Sequence, residues 1–249
     1  MPSVKHAPRA KSSVSSTQTK KASSKTKWVY FFGNGKAEGK AEMKSLLGGK
    51  GANLAEMTNL GVPVPPGFTI TTQACIQFYG QGKRWPAGLV EQTAAYLARL
   101  ETATGKGFGD PKNPLLVSVR SGSVFSMPGM MDTILNLGLS DVTVQGLIKK
   151  TDNPRFAYDA YRRFIQMFSN VVLNLKHEQF EHALEAKKKS LGVTQDPDVT
   201  ADGWKALIED YKRIIQRETG RPFPQEPKQQ LQMAINAVFG SWNNERAFT

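Results

Sequence analysis

The sequence predicts an α+β fold with a largely helical second half. Three observations carry this. Two short apolar runs, Trp28–Phe32 and Leu115–Val119, have the length and composition of strands. Ala157, Tyr161, Phe164, Phe168, Val171 and Leu175 recur every three or four positions, the stripe of a long amphipathic helix. After about residue 140 the remaining patterns are mostly helical, and no internal repeat appears.

Order is expected to begin at "KWVYFFGNG", where an aromatic strand closes on a Gly-Asn-Gly turn. "KAEGKAEMKSLLGGKG" reads as a polar connection into a glycine cluster. A helix starting at Ala52 follows, with Leu54, Met57 and Leu60 at helical spacing and Gly61 placed to end it. The prolines of "VPVPPGFTIT" force an extended path that delivers Phe68 to Ile70 into a strand. Thr71 or Thr72 caps the next helix, which runs to about Tyr79. "LVEQTAAYLARLETATG" is a helix ended by Gly105. "NPLLVSVRSG" is a strand with Arg120 at its end, and "SVFSMPGMMDTILNLG" is a loop running into an apolar segment. Asn153-Pro154 opens the long helix, with Asn as cap and Pro at the first position. Three more helices follow, the second of these four over "EQFEHALEAKKKSLG", the third capped near Thr200 and the fourth over "FPQEPKQQLQMAINAVFGSWNN".

The 249 residues carry a net charge of +12, but its distribution argues against nucleic acid. Residues 1–27 hold seven Lys or Arg and no acid, so 33 less 7 leaves 26 basic against 21 acidic residues in the body. That tail is rich in Ser, Thr and Lys and reads as disordered, because it cannot bury enough surface to offset its ordering entropy. It reads as a solvated tail, with a targeting segment and a nucleic-acid contact as alternatives. No apolar run approaches the ~18 residues of a membrane-spanning helix. The one cysteine, Cys75, reads as a buried small hydrophobe, fits a reducing compartment and forms no intrachain disulfide. The location read from these features is cytoplasmic, or an organelle if residues 1–27 are a transit peptide.

The chemistry centres on Gly48-Gly49-Lys50-Gly51. Consecutive glycines let backbone N–H groups turn toward an anion. The following helix start adds free N–H groups and a positive dipole end, and Lys50 adds a full charge. The pattern is not a Walker A loop. Lys44 stands at its first glycine position, and Gly51 stands where a hydroxyl would bind Mg²⁺. Four such residues alone are equally the mark of an exposed turn with a solvated lysine.

The longer stretch "LLGGKGANLAEMTNLGVPVPPGFTIT", with "LLVSVRSGSVFSMPGMMDTILNLGL" at residues 115–139, resembles the N-terminal nucleotide-binding domain of the pyruvate, phosphate dikinase family. Phosphoenolpyruvate synthase shares that domain type, but its Glu-Asp pair and Ala-Ser-Phe-Ala-Gly run are replaced here by "SMPGMMDT". The resemblance runs from about Trp28 to Thr249. It implies an ATP-grasp-like domain, incomplete at its C-terminus. The division expected is a disordered basic tail (1–27), a first ATP-grasp-like subdomain (28–140), a helical subdomain (141–226) and the start of the remaining part (227–249).

The resemblance also implies ATP as ligand, with Lys50 and Arg120 as phosphate contacts. The physics agrees, since an arginine at a strand end presents a planar fork to two oxygens. An ion pair to a carboxylate is the plainer reading of Arg120. Gly49, Gly51, Gly129, Asp132 and Thr133 are weaker candidates for ATP binding. Gly129 gives its loop a flexible point, as a lid over phosphates needs. Asp132 and Thr133 read equally as caps of a following helix, and Met127, Met130 and Met131 as packing residues.

In the family, Mg²⁺ is bound by carboxylates beyond "SWNNERAFT", and phosphate passes through a histidine on a separate domain to pyruvate. His6, His177 and His182 do not lie in that histidine's Thr-Ser-His-Ala-type context, and they read as tail or surface residues. No catalytic or metal-ligating residue is therefore expected in this chain. It is expected to be an N-terminal fragment, inactive alone, of an enzyme that converts ATP, pyruvate and phosphate to AMP, phosphoenolpyruvate and diphosphate. The full-length enzyme is expected to be a homodimer with Mg²⁺ as cofactor. The alternative is a non-catalytic nucleotide-binding or docking protein.

Overall fold

The computed structural model describes residues 26–121 and 133–241. The basic tail through residue 25, with His6, lies outside the described residues, as do Met127, Gly129, Met130, Met131 and Asp132.

The first layer is a three-stranded antiparallel sheet in the order β2-β1-β3, with β1 at Val29–Gly33, β2 at Lys36–Ala37 and β3 at Gly67–Ile70. The hairpin between β1 and β2 turns through Asn34 and Gly35, both at positive φ, the backbone that matches the twist of paired strands. β1 and β3 pair Val29 with Ile70 and Phe32 with Gly67. Gly67 is required there, because a Cβ would lie 2.6 Å from the Phe32 ring. Helix α1 (Lys44–Asn59) lies between β2 and β3 in the chain, and helices α2 (Thr72–Gly80) and α3 (Leu89–Thr104) follow β3. The Thr71 side chain accepts from the Ala74 N–H and caps α2, and Gly105 ends α3 in the left-handed conformation, both as the sequence predicts.

The second sheet is the antiparallel hairpin of β4 (Val117–Arg120) and β5 (Thr133–Leu137). Val117 pairs with Leu137 but Val119 pairs with Ile134, so β5 carries one extra residue. Asn136 takes it up at φ 58. The bulge lets Ile134 and Leu137, three apart, both face the core, which strict alternation forbids. Thr133 therefore begins a strand, and the expected helix cap at this point is corrected.

The second half is helical: α4 (Thr143–Thr151), α5 (Pro154–Val171), α6 (His177–Leu191), α7 (Ala201–Thr219) and α8 (Pro227–Ser241). Asn153 accepts from the Phe156 N–H at 2.9 Å and Thr200 from the Gly203 N–H at 3.1 Å, so two of the predicted caps are in place. Ala157, Tyr161, Phe164 and Phe168 are buried, whereas Leu175 lies past the end of α5. Phe223 meets Tyr161, Phe164 and Phe168 edge-on with ring centroids 5.6–6.4 Å apart, which locks the loop before α8 onto α5. One continuous apolar core runs from Trp28 to Phe239. The architecture is mixed helix and strand, as expected.

Candidate functional site

The glycine cluster lies inside a broken helix. α1 begins at Lys44, eight residues before the predicted start at Ala52, and is interrupted at Gly48, where φ is 70 and ψ is 170. Those angles lie in a region essentially restricted to glycine. The peptide after Gly48 is turned by about 150° from its helical orientation (typical ψ about −42). The helix restarts at Gly49, and Gly49 and Lys50 stand in its first turn. A first turn carries N–H groups that the helix does not itself satisfy, together with the positive end of its dipole. The helix start expected beside Lys50 is thus present, but it precedes the lysine.

The apolar residues at helical spacing are not the ones α1 buries most. Leu47, Gly48, Gly51, Ala52, Ala55 and Thr58 are buried, while Met57 and Leu60 are 42% and 72% exposed. Small residues face the sheet because the helix lies close to it. A Cβ on Gly51 would stand 2.7 Å from Thr69 Cγ2 on β3. Gly51 is therefore a close-packing position that seats the helix start.

Lys50 is exposed and makes no ion pair among the described residues. Arg120 is exposed at the end of β4 and likewise has no carboxylate partner among the described residues, so the ion-pair reading finds no support there. Lys50 and Arg120 stand in two different layers, α1 against the first sheet and β4 in the second. Arg120 and Thr133 are direct cross-strand partners, so two of the predicted site residues are brought together. The segment between them contains Gly129 and Asp132. An open groove lined by Asn34, Gly35 and Gly61–Pro65 lies past the C-terminal end of α1, and neither Lys50 nor Arg120 lines it.

Glu38 ties the first sheet to α3. It accepts from the Phe31 N–H at 3.0 Å and from Tyr96 Oη at 2.8 Å, and pairs with Lys27 and Arg99. Burial would raise its carboxyl, but these donors outweigh burial and hold it at about 2.

Other nucleophiles and titratable groups are accounted for structurally. Burial pushes the Cys75 thiol up to about 12, and its Sγ lies 3.9 Å from the Phe239 carbonyl. His177 and His182 are exposed on α6, with His177 bound to Asn170 at 2.9 Å and Glu181 at 3.3 Å. Among the described residues, no group of three or more His, Cys, Asp or Glu side chains could hold a metal ion. None of their helices is long and apolar enough to cross a membrane.

Residues 44–100, which include the broken helix, match the family model described as "Pyruvate phosphate dikinase, AMP/ATP-binding domain". The chain is 55% identical over 222 residues to a pyruvate, phosphate dikinase of Clostridium symbiosum, which is 89% of this chain and 25% of that protein. It is 55% identical over 223 residues to the enzyme of Rhizobium meliloti (strain 1021), 90% of this chain and 25% of that protein. To the protein named pyruvate, phosphate dikinase 1, chloroplastic, of Oryza sativa subsp. japonica it is 53% identical over 221 residues, 89% of this chain and 23% of that protein. The chain spans about a quarter of the length of these curated relatives.

Proposed function

We propose, proceeding from the family to which its sequence assigns this chain, the pyruvate, phosphate dikinases, that it is the ATP-binding part of such an enzyme. The observation that supports this most is the helix restart at Gly49. It sets first-turn amides, a helix dipole and the Lys50 ammonium, without an ion-pair partner among the described residues, at one place, within the segment that matches an AMP/ATP-binding domain. In an ATP-grasp-like arrangement the nucleotide lies between subdomains. Lys50 and the Gly49 and Lys50 amides neutralise the triphosphate from one side. Arg120 presents its fork from the end of β4, with Thr133 on the paired strand across from it.

The reaction of the whole enzyme is ATP + pyruvate + phosphate to AMP + phosphoenolpyruvate + diphosphate. In it this part holds the triphosphate in place while phosphoryl passes to a histidine carrier. Positioning and charge stabilisation are the whole of that contribution. Mg²⁺ would enter with the nucleotide as MgATP, where it would offset part of the phosphate charge. None of the three histidines here has the carrier's sequence context, so the chain by itself binds ATP without turning it over. The reading places the protein in the cytoplasm or in an organelle such as the chloroplast.

The test is made in two proteins. In a full-length enzyme carrying this sequence, Lys50→Ala or Arg120→Ala should slow the ATP half-reaction by about 10²–10³, the cost of one lost charged contact to a transition state. The half-reaction between phosphoenolpyruvate and the carrier histidine should survive. Equal loss of both half-reactions, or phosphoenolpyruvate formation by the 249-residue chain alone, contradicts the reading.

A further inference from the structure

We propose that Thr72 is a positioning residue for the helix start that presents Lys50, acting through the carbonyl of Ser45; its bearing on ATP rests on the reading above. In an unbroken helix the Ser45 carbonyl would accept the Gly49 amide four residues on. The turn at Gly48 swings that amide away and leaves the carbonyl over. The Thr72 Oγ1 donates to it at 2.6 Å, across 27 residues of sequence. Thr72 is only 8% exposed, so this bond has little competition from water.

Thr72 is itself held firmly. It is the first residue of α2, directly after the cap Thr71, whose backbone N–H donates to the Trp28 carbonyl at 2.9 Å. On the other side of the break, Gly51 is seated on Thr69 of β3. One short segment, residues 69–72, thus grips α1 before and after Gly48. Without the Thr72 hydroxyl, the first arm of α1 regains its lowest energy by rewinding, with the Gly49 amide returned to Ser45. Rewinding rotates Lys50 about the helix axis and removes the free amides of the first turn. The hydroxyl therefore favours the broken helix over the straight one.

The experiment compares Thr72→Val, which keeps the shape and removes the donor, with Thr72→Ser, which restores it. Thr58→Val is the control. Thr58 lies on the same helix, is buried and bonds its own Leu54 carbonyl at 2.7 Å, far from the break. Each 249-residue chain is titrated with MgATP, and amide hydrogen exchange is followed over residues 45–52. Thr72→Val is expected to weaken ATP binding about tenfold, the value of one buried hydrogen bond, and to change exchange at Gly49 and Lys50. Thr72→Ser should behave as wild type, and Thr58→Val should lose stability without losing ATP.

Wild-type exchange and binding in Thr72→Val, failure of Thr72→Ser to rescue, or the same losses in Thr58→Val would each overturn the inference. If Lys50→Ala weakens ATP binding and Thr72→Val does not, the inference falls while the proposed function stands. If the wild-type chain does not bind MgATP but Thr72→Val still alters exchange at Gly49 and Lys50, the function falls and the anchoring role stands.

Discussion

Gly48 and Gly49 are neighbours, yet the structure assigns them opposite sensitivities to the same added methyl group. Gly48 is buried at φ 70 and ψ 170, where an L side chain is strained by about 1–3 kcal/mol. Gly49 has no positive φ and is only half-buried in the first turn of the restarted helix. Alanine there removes the entropy cost of glycine and gains up to about 1 kcal/mol of helix propensity. Gly48→Ala and Gly49→Ala should therefore differ in stability by about 1–4 kcal/mol. The assay is urea unfolding of the 249-residue chain followed by circular dichroism. With a slope of about 2 kcal/mol per molar, the two midpoints should lie about 0.5–2 M apart, with Gly49→Ala the higher. Coincident midpoints, or a Gly48→Ala chain at least as stable as wild type, would refute the claim that the native chain favours α1 broken at Gly48.

Three further outcomes test the scaffold around the site. Gly146→Ala should destabilise despite its better helix propensity of about 1 kcal/mol, because the new Cβ would lie 2.5 Å from the Pro111 carbonyl oxygen and 2.8 Å from Pro114 Cδ; thermal melting should show a net loss. Asn153→Ala removes the acceptor for the Phe156 N–H and should cost about 1 kcal/mol by chemical denaturation. Glu38 is held at about 2 against an ordinary 4.5, so the folded state binds its proton less readily than the unfolded chain does. Its stabilisation is present above pH 4.5 and is lost as pH falls from 4.5 toward 2. Unfolding measured across that window should be flatter for Glu38→Gln than for wild type, and equal slopes would show that Glu38 is not a source of the acid sensitivity.

Features set by local chemistry were readable in the sequence. Asn153-Pro154, Thr71, Thr200 and Gly105 mark helix ends through bonds and backbone angles that depend on a few adjacent residues, and the structure has them where the sequence puts them. Features set by packing were not. Leu54, Met57 and Leu60, with Ala55 beside them, have helical spacing, yet of these only Ala55 is buried, because close approach to β3 selects small residues such as Gly51, Ala52 and Ala55. The strand at Thr133–Leu137 was hidden because its bulge at Asn136 breaks the alternation that identifies a strand. Helix α4 was missed for a related reason: Gly146 weakens its helical pattern, and that glycine is needed for contact with Pro111, 35 residues earlier.

At the candidate site, the glycine pair signalled an unusual backbone around Lys50, and the structure locates that backbone at Gly48. Nothing local to Arg120 revealed that Thr133 would stand across from it, because that pairing is a property of the hairpin. The Ser45–Thr72 contact was equally invisible, since it joins two helices across intervening chain.

The most direct measurement is a set of amide shifts from the ¹⁵N-labelled 249-residue chain, titrated separately with MgATP, inorganic triphosphate and adenosine. If the restarted helix holds the nucleotide by its phosphates, the Gly49 and Lys50 amides shift saturably with MgATP and with triphosphate, and adenosine leaves them unmoved. Lys50→Ala should weaken both responses. Amides that stay still with MgATP, or that respond equally to adenosine, would contradict a phosphate site at Lys50.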